Sequence, residues 1–151
     1  SMAGLWLEQL EVGLHFSHEI RRTVTDMDNI LFSSLTYNPA PIHIDHAYSA
    51  TTEFGRPLMN SIFTLGLVIG LSVQDTTLGT TVGNLGFENT TFPKPVFAGD
   101  TIRAETTVLS VRASKSRPNQ GIVAFEHIGL NQDEEIVCRT VRNALMMRRP
   151  S

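Results

Sequence analysis

The sequence predicts an α+β fold in which a curved antiparallel sheet wraps one long apolar helix. Residues 58–73 form the most apolar stretch, the hydrophobic period changes from 3.6 to 2 after it, and the segments that follow read as strands joined by polar turns. With 151 residues, 41% of them hydrophobic, the chain has the length and balance of one domain with its own core. We therefore expect a single domain over residues 1–151, with Ser1 as a remnant of tag cleavage.

The apolar stretch 58–73 is predicted to be a buried helix. It is shorter than the roughly 20 residues that cross a bilayer, and polar residues dilute its start. Because apolar residues occupy nearly every face, we expect the helix to be surrounded. Gly66 and Gly70 stand four positions apart and expose backbone on one side, which permits close approach of a neighbouring layer.

The predicted strands follow the period-2 alternation of apolar residues. It is clear in residues 101–111, 121–130 and 135–146 and weaker in residues 14–24 and 80–92. Five strands around one helix leave free sheet edges. We therefore expect a dimer, or a dimer of dimers, that continues the sheet across subunits.

A shorter helix is predicted between the first strand and two prolines. Residues 25–28 (Thr-Asp-Met-Asp) resemble a capping box with Asp in place of Glu, which predicts a helix ending at about Leu35. Pro39 and Pro41 then exclude helix, so we expect an extended path through residues 42–45.

Charge and cysteine content exclude several classes of function. With a net charge of −3, the protein lacks the overall attraction to polyphosphate that is typical of nucleic-acid binders. Residues 1–100 hold 4 basic and 10 acidic residues (−6) and residues 101–151 hold 8 and 5 (+3), so an anionic ligand is expected to favour the C-terminal third. The single Cys138 excludes an intrachain disulfide and a cysteine-based zinc cage. With no signal-peptide pattern, we expect a cytoplasmic protein without membrane partners.

His43 and Asp45 are the main candidates for residues that transfer protons. In extended backbone both side chains project to the same side, so Asp45 would orient an imidazole that takes and returns a proton near neutral pH. A structural interpretation stays open, in which His43 packs against the turn and Asp45 caps a helix beginning at His46. Metal binding by His43, Asp45 and His46 is a third interpretation.

Three sequence blocks carry a family resemblance. They are residues 38–45 (Asn-Pro-Ala-Pro-Ile-His-Ile-Asp), 54–61 (Phe-Gly-Arg-Pro-Leu-Met-Asn-Ser) and 92–101 (Phe-Pro-Lys-Pro-Val-Phe-Ala-Gly-Asp-Thr). These blocks and their spacing resemble the MaoC-like, (R)-specific enoyl-CoA hydratases of the hot-dog fold, over residues 13–148. Residues 114–123 further resemble the branch that includes mesaconyl-CoA and itaconyl-CoA hydratases.

The resemblance implies a dimer with interfacial active sites and reversible addition of water to a short enoyl-CoA. In this branch the acyl group is branched or dicarboxylic, and coenzyme A enters only as part of the substrate. The family motif reads Asp-x-Asn-Pro-x-His. Its His matches His43 and its Pro matches Pro41, whereas Asn38 replaces the catalytic Asp and Ala40 replaces the Asn. Because a neutral amide is not a base near pH 7, we expect His43 to move both protons, with Asn38 positioning water and Asp45 orienting the ring.

The remaining candidate residues concern the negative charges of such a substrate. Attack of water at Cβ places charge on the thioester oxygen, and Asn60 as N-cap is expected to leave the amides of Ser61 and Ile62 free to stabilise it. Lys115 and Arg117, in a polar turn, are candidates for binding the phosphates of coenzyme A, with a solvated hairpin as the alternative.

Other functions stay open at this point. Arg56 and Arg112 are candidates for holding a second acyl carboxylate. Loss of the motif Asp also fits a thioesterase on the same fold, in which water attacks the carbonyl carbon, or a non-catalytic acyl-CoA-binding subunit. No glycine-rich dinucleotide fingerprint or Walker loop is present in the sequence, so we expect no nucleotide cofactor. We also expect no metal, because His43, Asp45 and His46 are so close in sequence without an established helix that they are a weak signal for a metal site.

Overall fold

Six strands, four α-helices and one short 3-10 helix (Leu7–Gln9) form the secondary structure of residues 4–151, the part of the chain that the computed structural model describes. The predicted tag remnant Ser1 lies outside these residues. The helices are α1 (Asp26–Leu35), α2 (Pro41–Ile44), α3 (His46–Ser49) and α4 (Ser61–Thr76). The strands are β1 (His15–Ser17), β2 (Arg22–Thr23), β3 (Thr81–Thr91), β4 (Thr101–Ala113), β5 (Gln120–Leu130) and β6 (Ile136–Met147). Within residues 4–151 we find no helix that is both long and apolar enough to cross a membrane.

The strands form one antiparallel sheet in the order β1-β4-β5-β6-β3, with β2 paired to the start of β4. In β4 and β6 buried residues alternate with half-buried ones because one face of each strand turns toward the core. The four strands predicted after the apolar helix are confirmed. The prediction of one strand over residues 14–24 is wrong, because the exposed residues 19–21 separate β1 from β2.

Helix α4 packs on one face of the sheet, against β4, β5 and β6. Gly129 of β5 permits this close approach, since a Cβ there would lie 2.5 Å from Cγ2 of Val68. The expectation that the helix is surrounded is wrong within the protomer. Ile62 is 58% exposed, and an added Cβ at Gly66 or Gly70 would meet nothing within 4 Å. The outer face of α4 is therefore open and partly apolar.

The capping box that begins α1 is confirmed. The side chain of Thr25 accepts the Asp28 N–H, and the carboxylate of Asp28 accepts the Thr25 N–H at 2.8 Å. Two hydrogen bonds from the Arg22 guanidinium, both 2.7 Å long, help to lower the pKa of Asp28 to about 2. The capping box and this ion pair fix the start of the helix that leads into the candidate site.

A line of hydrogen-bonded polar side chains runs from the half-exposed Asp75 of α4 through the core to the buried Arg142 of β6. Asp75 accepts from Nδ1 of His18 at 2.6 Å, and Nε2 of His18 meets the Thr106 hydroxyl at 2.7 Å. The same hydroxyl lies 2.8 Å from Nδ1 of His127, whose Nε2 accepts from Nε of Arg142 at 3.1 Å. Because Arg142 only donates and the Asp75 carboxylate only accepts, every proton in the line points from β6 toward α4. Burial, followed by the charge of Arg142, lowers the pKa of His127 to about 3.

Candidate functional site

His43 is anchored to the main chain immediately before α4. Its Nδ1 lies 2.6 Å from the carbonyl oxygen of Leu58. A carbonyl only accepts hydrogen bonds, so Nδ1 carries the proton, and in the neutral ring Nε2 keeps its lone pair. The imidazole is therefore held in the tautomer that a general base requires.

The expected pairing of His43 with Asp45 is wrong. Pro41 occupies the first position of α2, where proline fits a helix well, so residues 41–44 are helical rather than extended. Side chains two positions apart then no longer share a side. Oδ1 of Asp45 instead accepts the Tyr48 N–H at 2.9 Å and caps α3, as the structural interpretation proposed.

The three residues considered as metal ligands point to different partners. His43 bonds to Leu58, Asp45 to Tyr48, and Nε2 of His46 lies 3.2 Å from a carboxylate oxygen of Asp26. Their side chains thus diverge. Nothing in this geometry favours the metal interpretation.

Two buried polar residues of α1, missed from the sequence, join His43 to the start of α4. Asn29 donates from Nδ2 to the Leu58 carbonyl at 3.0 Å and accepts the Asn60 N–H through Oδ1 at 2.9 Å. Nδ2 of Asn60 donates to the Ser33 hydroxyl at 3.2 Å. Asn29 and Ser33 are buried and lie four positions apart on one helix face. That spacing of polar residues was the signal in the sequence.

The start of α4 offers one of the two main-chain donors that the sequence predicted. Oδ1 of Asn60 accepts the Ile62 N–H at 3.0 Å, so that amide is capped and not free, contrary to our expectation. The first donor inside the helix is the N–H of Thr64, which bonds to the Asn60 carbonyl. The N–H of Ser61 thus has no partner within its own helix.

A cavity of about 240 Å³ opens beside this helix start. Its walls are mostly apolar. Among the described lining residues, α4 contributes the polar Ser61 and Thr64, and Lys94 is the cation. The lining comprises Phe54, Leu58, Met59, Ser61, Thr64, Phe92, Lys94, Pro95, Val96 and Val137. His43 is not among these lining residues; Nδ1 of His43 bonds to the carbonyl of Leu58, which is one of them.

Asn38 belongs to the loop that carries His43. Its Oδ1 accepts the Ala40 N–H at 3.0 Å, and its own N–H donates to the Ser33 carbonyl at 2.8 Å. The side chain lines a shallow depression with Tyr37 and Ile44, separate from the cavity at Ser61. Asn38 thus shapes the loop, and its predicted role in positioning water stays a prediction.

Lys115 and Arg117 lie far from the cavity within one protomer. They occupy the turn between β4 and β5, next to the pair Gly121 and Met146. Met146 lies nine positions along β6 from Val137 of the cavity wall, which corresponds to about 30 Å of extended strand. Their predicted contact with phosphates of a substrate bound at this cavity therefore requires a second copy of the chain.

The assembled site suits proton transfer beside an apolar binding space. One imidazole presents a lone pair at Nε2, and the main-chain N–H of Ser61 is available to a developing negative charge. Asn29 links the two groups, because it bonds both to the Leu58 carbonyl that holds His43 and to the N–H of Asn60, which precedes Ser61. Asn60 acts as the helix cap, so its contribution to the site is to hold the helix start in place.

Comparison with known proteins shows relatives of the same fold. Residues 8–130 match the model of the MaoC like domain family. The mesaconyl-CoA hydratase of Cereibacter sphaeroides is 34% identical over 97% of this chain and 42% of its own length. The β-methylmalyl-CoA dehydratase of Chloroflexus aurantiacus is 26% identical over 97% of this chain and 41% of its own length. The chain thus spans about two fifths of these curated relatives.

Solved structures agree with the family match. The MaoC-like dehydratase from Rhodospirillum rubrum superposes with a TM-score of 0.85 at 31% identity, covering 98% of this chain and 100% of that one. A Mycobacterium tuberculosis protein described as a double hot-dog fold, Rv0216, gives a TM-score of 0.88 at 20% identity, covering 99% of this chain and 46% of that one. The expected hot-dog fold is thereby confirmed. This chain belongs to the MaoC-like domain family.

Proposed function

We propose that this chain reversibly adds water to the double bond of a short enoyl-CoA thioester, with a branched or dicarboxylic acyl group of the mesaconyl-CoA type. The observation that carries the proposal is the hydrogen bond from His43 Nδ1 to the Leu58 carbonyl. It reserves Nε2 as a base on a ring that is anchored to Leu58, and Leu58 lines the same cavity as Ser61, the first residue of α4. The names of the relatives, mesaconyl-CoA hydratase and β-methylmalyl-CoA dehydratase, point to the same chemistry.

In the proposed mechanism a single imidazole serves both proton transfers. Nε2 of His43 takes a proton from water as the water oxygen bonds to Cβ, and the π electrons move onto the thioester oxygen. The Ser61 N–H stabilises this enolate. The imidazolium then returns the proton to Cα as the carbonyl re-forms. The balance is one water added across one double bond, with no redox change and no cofactor.

The cavity favours a small acyl group. Its volume of about 240 Å³ lies below the 300–1,000 Å³ that is common for sites of drug-sized ligands. Phe54, Phe92 and Val137 form parts of its apolar wall. A short, branched acyl group matches this space better than a long chain.

The test is a panel of mesaconyl-CoA, itaconyl-CoA and crotonyl-CoA, in which loss of the conjugated double bond is followed by absorbance. We expect turnover on the panel and its loss in His43→Gln. Asp45→Asn is the matched control in the same loop, because Asn caps a helix as well as Asp does, and it is expected to keep most of the rate. An equal loss of turnover in both variants would indicate that Asp45 takes part in proton transfer and would contradict the single-imidazole mechanism.

The same panel separates the alternatives. Release of free thiol without loss of the double bond would identify a thioesterase. Binding of the thioesters without either reaction would identify a non-catalytic acyl-CoA-binding subunit. Either result would overturn the hydratase proposal.

We also propose that the chain forms a homodimer in the cytoplasm. The open face of α4 and the exposed apolar residues of the edge strand β3, Val82, Leu85 and Phe87, support an interface between copies. Light scattering on a size-exclusion column tests it. Replacement of Gly70 by Leu on the open face of α4 is expected to shift the protein toward monomer, and an unchanged dimer would contradict this interface.

A further inference from the structure

Lys94 is the cation in the described wall of an otherwise apolar cavity. The same lining includes Phe54, Phe92 and Val96, and the polar contribution from α4 is limited to Ser61 and Thr64. Lys94 lines both this cavity and the neighbouring polar depression, so it favours a ligand in the cavity that carries a negative charge close to its apolar part.

The main chain holds Lys94 firmly next to the start of α4. Lys94 stands between Pro93 and Pro95, whose rings restrict the backbone on both sides. Val96, two positions after Lys94, accepts the Met59 N–H through its carbonyl at 2.9 Å. Lys94 is therefore fixed in register with the segment that leads directly to the N-cap of α4.

The ammonium of Lys94 has only a loose partner in the protein. Its Nζ lies 3.7 Å from Oε2 of Glu135, and both side chains are about half exposed. The other oxygen of Glu135 accepts from Nδ2 of Asn131 at 3.1 Å, so Glu135 is held in place by a different contact. Because an ammonium has three donors and this ion pair is long and solvated, Lys94 has donors to offer an incoming anion.

The surroundings of Lys94 distinguish two possible sources of that anion. On its polar side Lys94 shares a depression with Arg56, Asp100, Asp133 and Glu135, whose charges together with its own sum to −1. A diphosphate placed there would meet three carboxylates. A carboxylate on the acyl group would reach Lys94 from the apolar side, where no acid lines the cavity among the described residues.

We propose that Lys94 binds the free carboxylate of a dicarboxylic acyl group and thereby selects it over a monocarboxylic one. This inference rests on the proposed function. It replaces the two arginines suggested by the sequence. The Arg56 guanidinium stacks on the Phe97 ring at 4.0 Å outside the cavity wall, and Arg112 lies near the distant end of β4.

The test compares mesaconyl-CoA with crotonyl-CoA in wild type and in Lys94→Met, which keeps the length of the side chain and removes its charge. We expect kcat/KM for mesaconyl-CoA to fall about 10- to 100-fold and that for crotonyl-CoA to change by less than about 3-fold. Lys94→Arg is expected to restore most of the preference. Glu135→Gln, which frees the ammonium, is expected to lower KM for mesaconyl-CoA about 2-fold.

The two proposals fail in different ways. Absence of wild-type turnover on every thioester would overturn the proposed function, and the selectivity would then be judged by calorimetric binding of the same pair of ligands. A wild type that acts on both substrates, with Lys94→Met reducing both equally, would overturn the selectivity alone. Equal reduction is also the result expected if Lys94 binds a phosphate of coenzyme A. N-acetylcysteamine thioesters lack phosphates. If Lys94 binds a phosphate of coenzyme A, Lys94→Met is expected to leave the rates on these thioesters unchanged.

Discussion

Replacement of Asn29 by Leu tests whether α1 positions the catalytic elements. Asn29 is 2% exposed and bonds to the Leu58 carbonyl and the Asn60 N–H. In Asn29→Leu the carbonyl keeps its bond from His43, but the buried N–H of Asn60 loses its acceptor. Leaving one buried donor unpaired costs about 1–3 kcal/mol, so we expect the free energy of unfolding to fall by that amount.

The same substitution is expected to reduce turnover more than binding. Leu58 accepts the hydrogen bond that anchors His43, and Asn60 caps the helix whose first N–H, that of Ser61, is proposed to stabilise the enolate. A displacement of about 1 Å between such groups lowers the rate by as much as about 100-fold. We therefore expect kcat to fall at least about 10-fold while KM changes little. Ser34→Leu, on the exposed side of the same helix, is the matched control and should change stability by less than about 0.5 kcal/mol.

The measurements are urea unfolding and initial rates on the substrate that wild type prefers, both well below the melting temperature. A loss of stability with unchanged kcat would show that Asn29 is only a structural residue. Unchanged stability would show that the Asn60 N–H finds another acceptor. Either result refutes the positioning role.

Three further predictions concern stability. Since burial and Arg142 lower the pKa of His127 to about 3, the unfolded chain binds a proton between pH 6.5 and 3 that the folded chain does not. The free energy of unfolding should therefore fall as the pH decreases through this window, by at most about 1.4 kcal/mol per pH unit, and His127→Gln should flatten the slope in urea titrations. Gly129→Ala should cost about 1–3 kcal/mol, partly recovered in the double variant with Val68→Ala, as measured by thermal unfolding. Asp28→Asn should cost about 1 kcal/mol by the same assay, since the partly exposed Arg22 loses its charged partner.

Local sequence patterns were sufficient to predict most elements of the fold. The capping box at Thr25 and the alternation in β4 and β6 are determined by neighbouring residues, and the structure confirms both. Proline at position 41 was ambiguous because it fits an extended path and the first turn of a helix equally well. That ambiguity caused the incorrect pairing of Asp45 with His43.

Contacts between distant segments were beyond such patterns. The hydrogen bonds of Asn29 join residues 29 and 31 positions apart, and no local period encodes them. The open face of α4 was missed for a related reason. A helix that is apolar all round implies burial, but its sequence does not tell whether its own sheet or a second copy covers each face.

The amide at position 38 bears directly on the proposed mechanism. Asn38 stands where the family motif has Asp. Its side chain accepts the Ala40 N–H, a contact that an Asp carboxylate makes equally well, so the replacement of Asp by Asn leaves the geometry of the loop that carries His43 intact. What the exchange removes is a second base. The tautomer of His43, fixed by Leu58, supplies one lone pair that must accept the proton of water and then deliver it to Cα. Because both proton transfers pass through one nitrogen, the proposed hydration adds oxygen and hydrogen to the same face of the double bond, and the stereochemistry of the product reports whether one base or two are at work.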